Sequence, residues 1–268
     1  MIGPAKLHRL QLMIYTLLAL GPWAIVVASH GRGFDLTDEI YYLQSYWHFE
    51  DATVMPTLFY VVLRPLFSLS GGSVAVMRLL GMAIWLVIST TVTWVTVGFL
   101  RRRSYPAGTL LTDRHGAYLL ALVPVSGAAL YYSSWILTPS YNWLTLVGMA
   151  AFWAGFLKWI EPNRPKWISI LGAAIFSFAA AIVFWSKATS ALLLMLYPIC
   201  ALVANRSAWR SLVRPATVIS GLAGLALGLS LTPMSGMTMM QGFDALSRGV
   251  EYQQTLIPGT RDGPLEIL

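Results

Sequence analysis

Acidic side chains are scarce in this sequence, and they cluster. Asp35, Asp38, Glu39, Glu50 and Asp51, nearly half of its 11 acids, follow closely on the first long apolar run. A carboxylate at a water-facing edge can take the proton of an attacking hydroxyl. In the stretch Phe34-Asp35-Leu36-Thr37-Asp38-Glu39-Ile40-Tyr41-Tyr42-Leu43-Gln44 the candidates for that work are Asp38 and Glu39, with Asp38 first. The same residues suit the first turn of a helix. There Asp35 or Thr37 would be the N-cap, and acids favour the positive end of the helix dipole. The two roles are compatible, because a helix start holds its side chains rigidly. Asp35 reads as the cap and Asp38 as the working group.

Cations in apolar surroundings supply the other half of a reaction kit. Arg78 and Lys187 sit at the ends of long apolar runs, and Arg64 precedes Pro65 in a shorter one. Such side chains can snorkel, stem in hydrocarbon and charge among headgroups. They can also hold an anion at that depth, where a lipid phosphate would lie. Lys187 and Arg78 are therefore candidate phosphate-binding residues, with Arg64 a weaker third. His30 and His48 flank the acidic segment without a tight His-x-x-x-His spacing, so no metal site is expected and no cofactor is required. Asn142 reads as the cap of the run it opens. Tyr41, Tyr42, Tyr46 and Trp47 read as anchors at the membrane interface.

The composition names the scaffold. The 268 residues are 57% hydrophobic and only 11% charged, against about 25% charged in a soluble domain. Apolar runs of about 20 residues are long enough to cross a bilayer. The expected fold is all-α, a polytopic membrane bundle of about seven transmembrane helices at 10–28, 79–100, 117–134, 141–157, 167–185, 188–204 and 215–231. The first is read as an uncleaved span, since its apolar part exceeds the roughly 7–15 residues of a signal peptide. Residues 30–77 form the first outer loop, with two interfacial helices. One covers 37–49 with Ile40, Leu43 and Trp47 on one face. The other covers 56–69, is interrupted by Arg64-Pro65 and ends at Gly71-Gly72. A core thus covers 1–233 and a polar tail 234–268. The single Cys200 excludes an internal disulfide.

The net charge of +7 reads as topology. With the N-terminus cytoplasmic, every inner segment is basic: Lys6 and Arg9, then Arg101, Arg102, Arg103 and Arg114, then Lys158, Arg164 and Lys166, then Arg206, Arg210 and Arg214. Arg32, Arg64, Arg78, Lys187, Arg248 and Arg261 are left outside, with the acidic loop and the C-terminal tail. Nucleic acid is not expected as a partner. No Asp, Glu, Lys or Arg falls inside a span, whereas coupled transporters place ionisable groups near the midplane. That pattern disfavours transport and favours chemistry at the outer surface.

Taken in order, the Asp38-Glu39 pair before Ile40-Tyr41-Tyr42, then Met55-Pro56-Thr57-Leu58-Phe59-Tyr60, Arg78-Leu79-Leu80 and Phe184-Trp185-Ser186-Lys187 leading to Tyr197-Pro198 resemble the GT-C superfamily of polytopic glycosyltransferases. The protein-mannosyltransferase and aminoarabinose-transferase-like branches are the nearest, over residues 10–231. The resemblance implies a sugar donor linked to polyprenyl phosphate and a glycan, lipid or protein acceptor on the non-cytoplasmic side; short loops and the absence of disulfides point to a bacterial inner membrane. It implies Asp38 as the catalytic acid position, Glu39 as the second acid, and Lys187 and Arg78 near the carrier phosphate. Those branches usually continue through further spans, and here Ala188-Thr189 follows the lysine where Gly-rich continuations are common. The chain therefore reads as a fragment, a minimal core or a subunit needing a partner.

The chemistry agrees with this independently. One carboxylate removes the acceptor proton. A phosphate needs no general acid on leaving, but its developing charge needs a cation in a low-dielectric site. Attack opposite the phosphate inverts the anomeric centre. The alternatives are a non-catalytic scaffold of an envelope-glycan assembly complex and, behind it, a flippase or transporter.

Overall fold

The computed structural model describes residues 4–31, 38–48, 57–102, 114–134, 137–161, 165–204, 214–234 and 237–256. Among them every regular element is helical. In chain order these are α1 (Pro4–Ala28), α2 (Asp38–Trp47), α3 (Phe59–Leu69), α4 (Val74–Arg102), α5 (Arg114–Ser134), α6 (Tyr141–Ile160), α7 (Lys166–Ser186), α8 (Ala188–Ala204), α9 (Pro215–Leu229), the single turn α10 (Leu231–Met234) and α11 (Met239–Leu256). The five helices α1, α4, α6, α7 and α9 are long and apolar enough to cross a membrane. The chain is a helical, multi-pass membrane protein. Of the seven expected spans, the other two correspond to α5, a helix of 21 residues, and α8, which has 17.

Small residues let the central helices touch. Lipid tails are as apolar as leucine, so membrane helices associate through close packing at Gly and Ala. A Cβ on Gly155 of α6 would stand 2.5 Å from the Phe176 backbone nitrogen of α7. One on Gly172 would stand 2.6 Å from the nitrogen of Trp159. Gly221, Gly224 and Gly228 of α9 face α7 in the same way. Indole N–H groups join the remaining helices: Trp23 of α1 donates to the Val125 carbonyl and Trp85 of α4 to that of Ala128, both at 2.9 Å.

The bundle has two unlike ends. At one, Glu161 is buried between Arg102 of α4 and Lys158 of α6, with the Lys158 Nζ at 3.4 Å. Lys166 and Arg214 stand exposed at the starts of α7 and α9, which share this end through the 2.8 Å bond from the Ser220 hydroxyl to the Ile170 carbonyl. This is the basic end. At the opposite end gather α2, α3 and α11. The Leu58 amide donates to the Trp185 carbonyl at 2.7 Å, which docks the start of α3 on the end of α7.

Several local expectations shift. The buried face of α2 is Glu39, Tyr42, Leu43 and Tyr46, spaced i, i+3, i+4, i+7, while Ile40 and Trp47 are exposed. Tyr42 and Tyr46 are core residues and not lipid-facing anchors: their rings meet Phe59 at 5.5 Å and Phe67 at 5.4 Å. α3 runs straight through Arg64-Pro65, with the proline ring on its exposed side. It stops where expected, at Gly71 and Gly72, whose φ of 64° and 75° lie in the left-handed region that a side chain disfavours. Ser140, not Asn142, caps α6, accepting from the Trp143 amide at 3.3 Å. Part of the supposed polar tail is α11. Its Gly242, Ala245, Leu246 and Gly249 form a buried stripe, and the Phe243 ring meets that of Trp185 at 5.7 Å, tilted by 53°.

Candidate functional site

The site begins with where α4 starts. The helix opens at Val74, so Arg78 lies a full turn inside it and 2% exposed, not ahead of the span in open water. A buried guanidinium must find acceptors, and three other segments bring them. Its Nε and Nη2 donate to the Glu39 Oε1 at 3.1 and 2.8 Å. Its Nε also reaches the Thr138 hydroxyl at 3.2 Å, and its Nη1 donates to the His30 carbonyl at 2.9 Å. The Thr138 hydroxyl donates to the same Glu39 oxygen. One ion pair thus ties the end of α1, the start of α2, the second turn of α4 and the link between α5 and α6.

Local sequence sets each arm. Thr138 precedes Pro139, which disfavours helix at Thr138 and keeps that link extended. Pro139 packs directly on Gly81 of α4, where a Cβ would come within 2.6 Å of the proline Cγ, so glycine at 81 lets the link approach Arg78. The Tyr46 hydroxyl of α2 donates to the Pro139 carbonyl and locks the other side. Burial pushes the Tyr46 phenol well above its usual pKa of 10.0, with Tyr42 and Tyr131 adding to the effect. Burial likewise pushes Tyr60 of α3 up to about 12, Tyr41 adding to the rise and Arg248 of α11 partly offsetting it.

The two acids expected to do chemistry are therefore placed differently. Asp38 is the first residue of α2; its side chain and all of Asp35 lie outside the described residues. Glu39 is buried with Oε1 accepting from three donors, which suits a fixed strut more than a proton acceptor. Of the expected cations, Arg78 meets Glu39, Arg64 lies half-buried on α3, and Lys187 is exposed between α7 and α8. Lys187 follows Trp185 by two residues and so stands beside the start of α3, but no described contact joins it to the Glu39–Arg78 pair. His48 is exposed just after α2. Among the described residues no three His, Cys, Asp or Glu side chains gather as a metal would need.

Thr138 is the member of the site that sequence reasoning passes over, and Tyr46 is the one it reads as an interface anchor. The signal for Thr138 is a threonine directly before a proline in the short link between two apolar runs. For Tyr46 it is the i+7 spacing from Glu39. The chain matches no protein-family model, no curated protein and no solved structure. Fold and site together define a multi-pass helical membrane protein with a buried acid–base pair at the end opposite its basic loops.

Proposed function

We propose that this protein is a membrane glycosyltransferase. It moves a sugar from a polyprenyl-phosphate carrier to an acceptor hydroxyl on the non-cytoplasmic face of a bacterial inner membrane. One observation carries the reading. The residue next to Asp38 is pinned by Arg78 at 2.8 Å, which fixes the start of α2 and hence the backbone that presents Asp38. A general base must be held within hydrogen-bond reach of its proton, and a buried ion pair one residue away is a means of holding it.

In this reading α5 and α8 cross the membrane with the five longer helices, which makes seven spans and puts the N-terminus on the cytoplasmic side with the basic loops. Asp38 takes the proton of the acceptor hydroxyl as its oxygen attacks the anomeric carbon. The bond from that carbon to the phosphate oxygen breaks, and the electron pair leaves with polyprenyl phosphate. Lys187, with Arg64 as second cation, stabilises the charge on the leaving phosphate. Arg78, whose described donors go to protein acceptors, positions α2 through Glu39 and does not bind the phosphate. The anomeric configuration inverts.

The test is transfer from radiolabelled polyprenyl-phosphate sugars to endogenous acceptors in membranes containing the protein, with the linkage of the product determined. Label moved with inversion supports the proposal, and absence of transfer from every donor sinks it. A second reading has its own observation. A Glu39–Arg78 pair that neutralises itself is a structural device, as expected in a non-catalytic subunit of an envelope-glycan complex. That reading predicts no turnover, and loss of complex assembly when the pair is broken.

A further inference from the structure

Helices α8 and α9 each pack on α7, and a crevice of about 400 Å³ opens between them. Its walls include Phe176 and Ser177 of α7, Met195 and Ile199 of α8, and Val218 and Leu225 of α9. Sites that hold a small molecule typically have roughly 300–1,000 Å³. The lining is almost wholly apolar, its Leu222 is exposed, and so are the neighbouring Leu192 and Leu196. α7 and α9 are long and apolar enough to cross a bilayer and α8 is a shorter apolar helix, so such an opening faces hydrocarbon sideways. A polar solute gains nothing there, and a hydrocarbon chain does.

Depth and charge say which chain. Thr217 and Trp159 line the crevice close to the basic end. Thr217 is the third residue of α9 and bonds back to the Arg214 carbonyl at 2.8 Å, while Trp159 is one residue from the end of α6. From Thr217 to Leu225 the crevice runs about 12 Å at the helical rise, toward the middle of the bundle. Lys187, at the far end of α7, lies about 16 Å along the helix from Phe176. A lipid entering this space therefore has its headgroup at the basic end, where Lys166 and Arg214 are exposed. Cations at a bilayer surface attract anionic lipids. The indole Nε1–H of Trp159 has no acceptor among the described residues, and the ester carbonyls of a glycerolipid lie at that depth.

We infer that this crevice holds one acyl chain of an anionic phospholipid from the leaflet at the basic end, its headgroup between Lys166 and Arg214. The inference needs only membrane embedding and stands apart from sugar transfer. The full chain is reconstituted in vesicles of equal parts phosphatidylcholine and phosphatidylglycerol, with a trace of either lipid carrying a photoactivatable diazirine in one acyl chain. Labelled peptides are then mapped. The phosphatidylglycerol probe labels 195–199 and 217–225 several-fold above the lipid-facing Leu17, Leu18 and Ile25 of α1, and the phosphatidylcholine probe does not. Ile199→Trp and Val218→Trp, on exposed wall positions of two different helices, fill the crevice and bring labelling down to the α1 level. Arg214→Gln combined with Lys166→Gln abolishes the preference for phosphatidylglycerol. Equal labelling of crevice and α1, or equal labelling by the two probes, overturns the inference. Displacement of the label by polyprenyl phosphate also overturns it, by making a carrier tail the occupant. Because the readout is label position, its failure leaves the proposed activity standing, and an absence of sugar transfer leaves this inference standing.

Discussion

Replacing Arg78 by methionine should be among the most damaging single changes in the protein. The two side chains of the Glu39–Arg78 pair are 3% and 2% exposed, so water cannot take over when one partner goes. Losing one member of a buried pair strands the other and costs about 3–5 kcal/mol. Arg78→Met removes two donors from the Glu39 Oε1 and one each from Thr138 and the His30 carbonyl, which places it at the upper part of that range. Glu39→Leu strands the guanidinium and belongs in the same range. The double variant removes both charges and should recover most of the loss, since apolar replacements of buried pairs are often neutral or better. Two singles of at least about 3 kcal/mol each and a nearly neutral double give a coupling of about 5 kcal/mol or more, above the roughly 0.5–3 kcal/mol usual for residues in contact because each single also strands its partner. Equilibrium unfolding of the purified protein in mixed micelles measures all four corners. Singles that cost under about 1 kcal/mol and add in the double would mark a hydrated pair of the surface kind, and the argument that it anchors α2 would fail.

Three further outcomes follow from the packing and the site. Gly155→Ala puts a Cβ against the Phe176 backbone of α7, and overpacking of this kind costs about 1–3 kcal/mol, read by the same unfolding experiment. Tyr46→Phe orphans the buried Pro139 carbonyl at about 1–3 kcal/mol. Since the folded pKa of Tyr46 is raised, its contribution is fully present below about pH 10 and is lost as pH rises through the folded value, because only the unfolded chain ionises there. The variant should therefore lose less stability than wild type between neutral and strongly alkaline pH; equal loss would contradict the assignment. Lys187→Ala should weaken binding of the polyprenyl-phosphate donor while leaving insertion intact, and unchanged donor affinity would leave Lys187 as a snorkelling residue.

How far the sequence disclosed this protein differs from element to element. The apolar runs located the bundle helices closely, because bilayer length and hydropathy are coarse and additive. The stop at Gly71-Gly72 was legible from glycine alone. The face of α2 was not. A carboxylate counts as outward-facing until its partner is known, and Arg78 lies 39 residues away, so local pattern reads the helix one position out of register. The same blindness hides Arg78, which local pattern sets at the end of a span because no rule based on local sequence puts a cation inside one. α11 escaped because its buried stripe contains two glycines, which carry no hydrophobic signal. Thr138 carries only a faint local signal for a third reason: its role exists only through Pro139 packing on Gly81. Local pattern showed where the helices are, and long-range pairing decided which side chains they enclose.

The claim on which the functional account rests is that Asp38, held at the start of α2 by the adjacent ion pair, is the base that activates the acceptor. Single-turnover transfer from a saturating labelled polyprenyl-phosphate sugar, compared between wild type and Asp38→Asn at matched membrane insertion, addresses it most directly. Loss of a general base should slow transfer by about 10²–10⁴-fold with donor binding retained. Equal rates for the two proteins would contradict the account.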